Sequence, residues 1–186
     1  MELESIRPKL ALRVGIVGKR ELDPERKKLL TAPVTEIVNS IRAFLSEVRR
    51  EDWGYTAEKP CLYFNNSLAE GADQLAALAI LAGHENTTEI EEQLFVPLPF
   101  NEDDYLGNFT IDAEHAKPAY RNIIEQYGLN AHRIVLNGAH DNDLRAARSY
   151  RAVASLLLDN SDLLIAICDM KDEERTGGSV ETVRRA

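Results

Sequence analysis

The feature that most constrains this chain is a repeated alternation of short apolar runs with longer segments whose apolar residues recur at helical spacing. Leu12 to Val17 form a β-branched run ending at Gly18, which reads as a buried parallel strand. Asp23-Pro24 reads as an N-cap followed by proline at the first helical position. A longer helix is expected from about Pro33, with Val34, Ile37, Ile41, Leu45 and Val48 on one face. Residues 49–60 are polar and irregular and read as a loop. A second strand is expected over Cys61–Asn65, then a helix over about Gly71–Ala82, with Gly83 ending it in a left-handed conformation. Gln93–Val96 supply a third strand, leading into a Pro97-Leu98-Pro99 turn. The acidic, aromatic segment Phe100–Ala116 has no clear period, and loops of such length often serve as lids. A helix over Pro118–Tyr127 stops at Gly128, and Arg133–Leu136 form a fourth strand. Asp143 is placed to cap a helix carrying Ala147, Tyr150, Val153, Ala154 and Leu157 on one face. Leu163–Cys168 are continuously apolar and are expected to form a central fifth strand.

Five strands separated by helices imply an α/β domain built on a doubly wound, mainly parallel sheet flanked by helices. At 186 residues the chain suits one such domain over residues 1–186, and 44% hydrophobic with 28% charged residues is an ordinary globular balance. It stops at Ala186, about two turns into the last helix, and is therefore read as the amino-terminal part of a longer protein.

Charge and composition exclude several classes. A net charge of −9 argues against nonspecific nucleic-acid binding, which needs a basic face, but allows a small anionic ligand held by local donors. Cys61 and Cys168 lie far apart in or beside apolar runs and form no CxxC pair, so they read as buried thiols in a reducing cytoplasm. His84, His115, His132 and His140 show no metal-ligand spacing, and no metal or cofactor is expected. No run approaches the ~20 apolar residues of a membrane span, and no signal peptide is evident, so a cytoplasmic location is expected.

In open α/β sheets ligands bind beyond the carboxyl ends of the strands, where the strand order reverses. The residues following each strand are therefore the candidates. Gly18, Lys19 and Arg20 follow the first strand, and read either as a plain turn or as a close backbone approach with two cations for phosphate oxygens. After the second strand comes a run of small and polar residues, Ser67, Glu70, Gly71, Asp73 and Gln74. The two carboxylates there can cap the helix or accept from ribose hydroxyls. After the fifth strand come Asp169 and then Gly177-Gly178-Ser179 opening a helix, whose unblocked N–H groups and hydroxyl could cradle a phosphate. This is neither a Walker A loop nor a GxGxxG fingerprint. Tyr150 shares an apolar helix face and reads as core, while Arg151 falls off that stripe.

In combination these segments resemble the SLOG superfamily of Rossmann-like domains, related to lonely-guy phosphoribohydrolases and the DNA-processing protein A fold. The resemblance is carried by "VGIVGKREL", "NSLAEGADQLAALAIL", "VPLPF" and the final "SYRAVASLLLDNSDLLIAICDMKDEERTGGSVETVRRA", in order along nearly the whole chain. It implies a pocket for a nucleotide or nucleotide-derived signal, formed by Gly18, Ser67, Glu70, Gly71, Asp73, Gln74, Asp169, Gly177, Gly178 and Ser179. It also implies a sensor fused to an effector in bacterial defence or stress systems, with homo-oligomers a further expectation for such helical faces. Asn66-Ser67 and Met170 depart from the residues common in that pattern.

The enzymatic alternative starts from the lonely-guy signature PGGxGTxEE, in which a glutamate and an upstream arginine help break an N-glycosidic bond. Aligning Gly178-Ser179 with its Gly-Thr puts Glu181 at the first glutamate and Thr182 at the second, with Arg148 or Arg151 as partner. Oxocarbenium chemistry needs a placed carboxylate, and a single candidate favours binding over catalysis. Single-strand DNA binding, the activity of the other relatives, needs a basic groove that this acidic chain lacks.

Overall fold

The computed structural model describes residues 7–48, 50–84 and 88–186, with the side chains of Arg50 and Glu51 set aside. Five parallel strands form one sheet: β1 (Ala11–Gly18), β2 (Cys61–Asn65), β3 (Glu91–Leu98), β4 (Ala131–Val135) and β5 (Leu163–Ile167). Six α-helices accompany them: α1 (Pro24–Glu47), α2 (Ala72–His84), α3 (Glu102–Gly107), α4 (Ala113–Tyr127), α5 (Asp143–Asp159) and α6 (Ser179–Arg185). The strand order is β4-β3-β2-β1-β5, a doubly wound Rossmann-like α/β fold. The chain steps outward from β1 through β4 and then crosses back to place β5 on the other side of β1. The carboxyl ends of β1 and β5 therefore flank the reversal in strand order.

The pleat sorts the helices. Gly15 and Gly18, three residues apart, face opposite sides of the sheet: a Cβ on Gly15 would meet Leu157 and Ser161 beyond α5's face, and one on Gly18 would meet Ala72 of α2. On the α2 side Val14, Ile16, Leu62, Phe64, Leu94, Val96 and Leu98 are buried under α1, α2 and α4. Each such aliphatic or aromatic side chain contributes about 1.5–3 kcal/mol on burial. The opposite side is covered by α5 through Val153, Ala154 and Leu157, and by α6. Gly15 is required there, since its Cβ would stand 2.7 Å from Leu157 Cδ2.

Several expectations are corrected. Asp23 caps as expected, its carboxylate accepting from Arg26 N–H at 2.8 Å, but the helix it opens runs unbroken to Glu47 with Pro33 inside. The carbonyl that Pro33 leaves unpaired belongs to Leu29, on a residue 72% exposed, where water can satisfy it. The polar loop before β2 contains a short 3-10 turn at Arg50–Trp53, while Arg49 lies outside the described residues. Gly83 does not terminate α2; it lies inside the helix, and its missing Cβ makes room for Arg42, whose Nη1 would be 2.2 Å away. Pro97 is not in a turn but in β3, past the last β2 partner (Asn65 opposite Phe95), so its absent N–H breaks no bond on that side. The irregular segment resolves into α3 and the start of α4, so α4 begins at Ala113 and contains Pro118, and ends before Gly128 (φ +52°). β4 begins at Ala131, ahead of the expected Arg133. Asn142, not Asp143, caps α5, accepting from Arg145 N–H at 3.0 Å.

The largest correction concerns β5, which pairs only with β1 among the described residues and so sits at a sheet edge. Ile165 and Ile167 are buried on the α2 side, whereas Leu163 and Ala166 are exposed. Both cysteines are free; Cys61 is buried and Cys168 half-buried, its thiol pushed up by burial. Among the described residues no helix is long and apolar enough to cross a membrane.

Candidate functional site

At the β1–β5 reversal two cavities adjoin. The larger, about 390 Å³, is an open cleft bordered by Lys19, Arg20, Arg175, Asp172, Thr110 and Ile111. The smaller, about 130 Å³, is walled by Val17, Val153, Ala154, Leu157, Tyr105 and Tyr150, with Ser67 and Asp73 also reaching it. Gly18, Arg20, Gly178 and Ser179 line both, and Gly177 lines the smaller.

The strand exits are locked by glycines. A Cβ on Gly18 would fall 2.3 Å from Ala72 Cβ. Gly71 has φ +94°, and its Cβ would fall 2.1 Å from Arg20 O, so the segment before α2 crosses directly over the residues leaving β1. Ala72 N–H donates to Lys19 O at 3.0 Å across that crossing. Asn66, fully buried, braces the same turn: its carbonyl accepts from Leu68 N–H at 2.7 Å and its amide donates to Asp73 O at 2.9 Å. Leu68 is thereby held at φ 55°.

Of the residues singled out by sequence, Gly18, Lys19, Arg20, Ser67, Asp73, Gly177, Gly178 and Ser179 border the cavities. Glu70, Gly71, Gln74 and Asp169 border neither. Glu70, 1% exposed, accepts from the N–H groups of Thr110, Ile111 and Asp112 at 3.0–3.2 Å and pairs with Arg20. Burial works to raise its carboxyl, but these donors prevail and hold it below the usual range. Gln74 donates to Leu68 O and Ala116 O at 3.1 and 2.9 Å. Asp169 accepts from Lys171 N–H at 2.9 Å and shapes the turn after β5.

The glycine pair is likewise more engaged than its sequence suggested. Gly177, at φ +74°, donates its N–H to Glu181 at 2.5 Å, Gly178 N–H donates to Arg175 O at 2.8 Å, and Ser179 Oγ donates to Gly18 O at 2.6 Å. The expectation of unblocked donors at these three groups is corrected: they tie the turn to β1 and to itself.

Two charged residues at the cavities, Arg20 and Asp73, differ in how far their polar atoms are satisfied. Arg20 donates through Nη2 to Glu70 and to Asn108 O at 2.6 Å, while its Nε–H is buried without a partner among the described residues. A buried donor left unpaired costs about 1–3 kcal/mol. Asp73, 8% exposed, is the other. Burial pushes its carboxyl up to about 7, against the opposing pull of the Ala69 and Gly18 N–H groups and the Arg20 charge. Lys19 is paired with Asp172 at 3.0 Å.

Arg151 and Glu181 do meet, in an ion pair between α5 and α6. Arg151, together with the Gly177 N–H, holds the Glu181 carboxyl below its ordinary range. Neither side chain lines either cavity.

Sequence reasoning missed Tyr105, Thr110, Ile111, Asp172, Arg175 and Thr182 as cavity residues. The first three fall in the aperiodic segment whose length alone marked it as functional, and Arg175 could have been noticed as a cation two residues before the glycines. No known protein family matches the chain, and no curated protein does.

Proposed function

We propose that this chain is a SLOG-like sensor domain that binds a nucleotide or nucleotide-derived small molecule at the carboxyl edge of its sheet. The observation that carries the reading is the pair of adjoining cavities at the strand-order reversal. The larger cleft offers Lys19, Arg20 and Arg175 to a phosphate, beside the carboxylates of Glu21, Asp172 and Glu173, and the aliphatic wall of the smaller chamber suits a ring. Arg20, which borders both cavities, supports an anionic or acceptor group bound between them. The domain acts in the cytoplasm, regulating a fused or associated effector in bacterial defence or stress signalling, as a homo-oligomer.

Calorimetric titration of nucleotides against the native chain and Gly178→Asp tests this. Gly178 has φ −85° and a Cβ would stand 3.0 Å from Arg175 O, so the variant needs only a small shift to fold. Because Gly178 lines both cavities, a carboxylate added there is expected to weaken binding at least tenfold. Equal binding by the two proteins refutes the site.

The second reading is a nucleoside 5′-monophosphate phosphoribohydrolase. The Arg151–Glu181 pair favours it, since two residues 30 apart in sequence meet beside the glycine turn. Against it, both Glu181 oxygens are engaged and the carboxylate is held ionised, unsuited to donate a proton. Catalysis predicts free base released from a nucleoside monophosphate and lost in Glu181→Ala; absence of turnover at high protein concentration removes this reading.

A further inference from the structure

The smaller cavity has a composition that restricts what can fill it. At about 130 Å³ it approaches the size of a cavity that holds one benzene ring, about 150 Å³. One side is walled by Val17, Val153, Ala154 and Leu157 with Tyr105 and Tyr150, and Arg20, Ser67, Ser179 and Thr182 border the rest. Tyr105 spends its hydroxyl hydrogen on Ser67 O at 3.0 Å. Asp73 is the one carboxylate reaching the chamber, and its two backbone donors leave acceptor capacity on its oxygens.

A flat ring uses these walls better than a pentose does, because Val17, Val153, Ala154 and Leu157 cover a ring face but offer a sugar's hydroxyls no partner on that side. A purine exceeds the volume. A uracil ring presents its N–H between two carbonyls, whose lone pairs would oppose those of a carboxylate. What fits is a single flat ring that offers an N–H₂ group to an acceptor.

We infer that this chamber is a subsite for one six-membered nitrogen heteroaromatic ring bearing an amino or carboxamide group, whose N–H₂ donates to Asp73. The inference rests on the nucleotide-binding function proposed above. The sugar and phosphate then lie in the larger cleft, reached past Gly18, Gly178 and Ser179, which border both spaces. A cytosine ring and a nicotinamide ring share this chemistry.

The test titrates the full chain at pH 8 with two matched pairs of nucleotides. Cytidine and uridine 5′-monophosphates differ in an amino group against a carbonyl, and nicotinamide and nicotinic acid mononucleotides in a carboxamide against a carboxylate. Adenosine 5′-monophosphate and ribose 5-phosphate complete the set. In one pair the N–H₂ member is expected to bind at least tenfold tighter than its partner and than the adenine nucleotide, identifying which ring is the ligand. In Asp73→Asn that ratio is expected to fall to about twofold, because an amide can turn its own N–H₂ toward a carbonyl. Ala154→Leu, which fills the chamber, is expected to abolish the preference while ribose 5-phosphate binds as before.

A ratio near one in both pairs of the native chain, or a ratio that survives Asp73→Asn, overturns the subsite. So does an adenine nucleotide that binds as tightly as the best single-ring probe. In each of those cases nucleotide binding itself still stands. If none of the six compounds binds, ribose 5-phosphate included, the proposed function and the subsite both fall.

Discussion

Replacing Asp73 by asparagine should change how stability depends on pH, in a direction the site dictates. Asp73 is buried, and its carboxyl is pushed from 3.8 to about 7 by loss of solvent, which the N–H groups of Ala69 and Gly18 only partly offset. The groups facing it are Arg20, whose charge lowers the value, and Tyr105, itself raised by burial and neutral at working pH. A raised acid binds its proton more tightly in the folded state, so the stability it contributes is present below pH 3.8 and is lost as pH climbs through 7. Three pH units at 1.36 kcal/mol each give a loss of about 4 kcal/mol. The asparagine side chain cannot ionise and escapes that loss. Urea denaturation of both proteins from pH 4.5 to 8.5 isolates the effect, since every other titrating group is common to the two. The stability difference, variant minus native, should climb by roughly 1 kcal/mol per pH unit up to neutrality and flatten above pH 8. A difference independent of pH over this range would show that Asp73 is ionised throughout it, with its carboxyl at or below the ordinary value, and would refute the reasoning.

Other contacts give sharper local expectations. Gly71→Ala places a Cβ 2.1 Å from a backbone oxygen at φ +94° and should destabilise by about 3 kcal/mol, whereas Gly54→Ala, at φ +80° with nothing within 4 Å, should cost only about 1 kcal/mol by thermal or urea unfolding. Glu92 is buried between Arg42 (2.6 Å) and His84 (2.9 Å); Glu92→Leu should cost about 3–5 kcal/mol, and adding Arg42→Met should restore much of it. No restoration in the double variant would mean the loss lies in packing, not in an abandoned charge. Glu70→Ala should speed hydrogen exchange at the amides of Thr110, Ile111 and Asp112 at least tenfold while leaving β2 protected, and unchanged exchange would contradict its role as their common acceptor.

The alternation of strand and helix was legible because it rests on local periodicity, and eight of the residues named at strand ends border the two cavities because topology leaves a crevice there. The larger errors share a cause, since each turned on surroundings that the local pattern does not show. Pro33 and Pro97 looked like breakers, but a proline matters only where its missing N–H or the carbonyl it orphans has nowhere to turn. The apolar run of β5 looked central, yet the strand pairs only with β1 among the described residues, and Leu163 and Ala166, on opposite faces, spend their apolar surface on solvent. Gly83 looked like a helix stop and is instead a gap for Arg42, which enters from α1, some 40 residues upstream. In the site, small residues and glycines announced a close approach of chain segments. They did not say whether the approaching group was a ligand or the protein's own backbone, and for Gly71 it is the backbone of Arg20.

Glu70 and Asp73 make the same point about charge. Both are buried carboxylates at the entry to α2, three residues apart, and both feel Arg20. Glu70 receives three N–H groups of the 110–112 loop in addition to the guanidinium, and its carboxyl is held low. Asp73 receives two backbone donors and no direct cation, and burial prevails. Opposite shifts in neighbouring acids mark different tasks. Glu70 already has its partners, so it fastens Arg20 and the loop that borders the larger cleft. Asp73 holds unspent acceptor capacity at a cavity wall, where its burial cost is offset once a donor arrives. For the ligand proposed above, Asp73 would meet the neutral, hydrogen-bonding end, while Lys19, Arg20 and Arg175 border the cleft assigned to the anionic end.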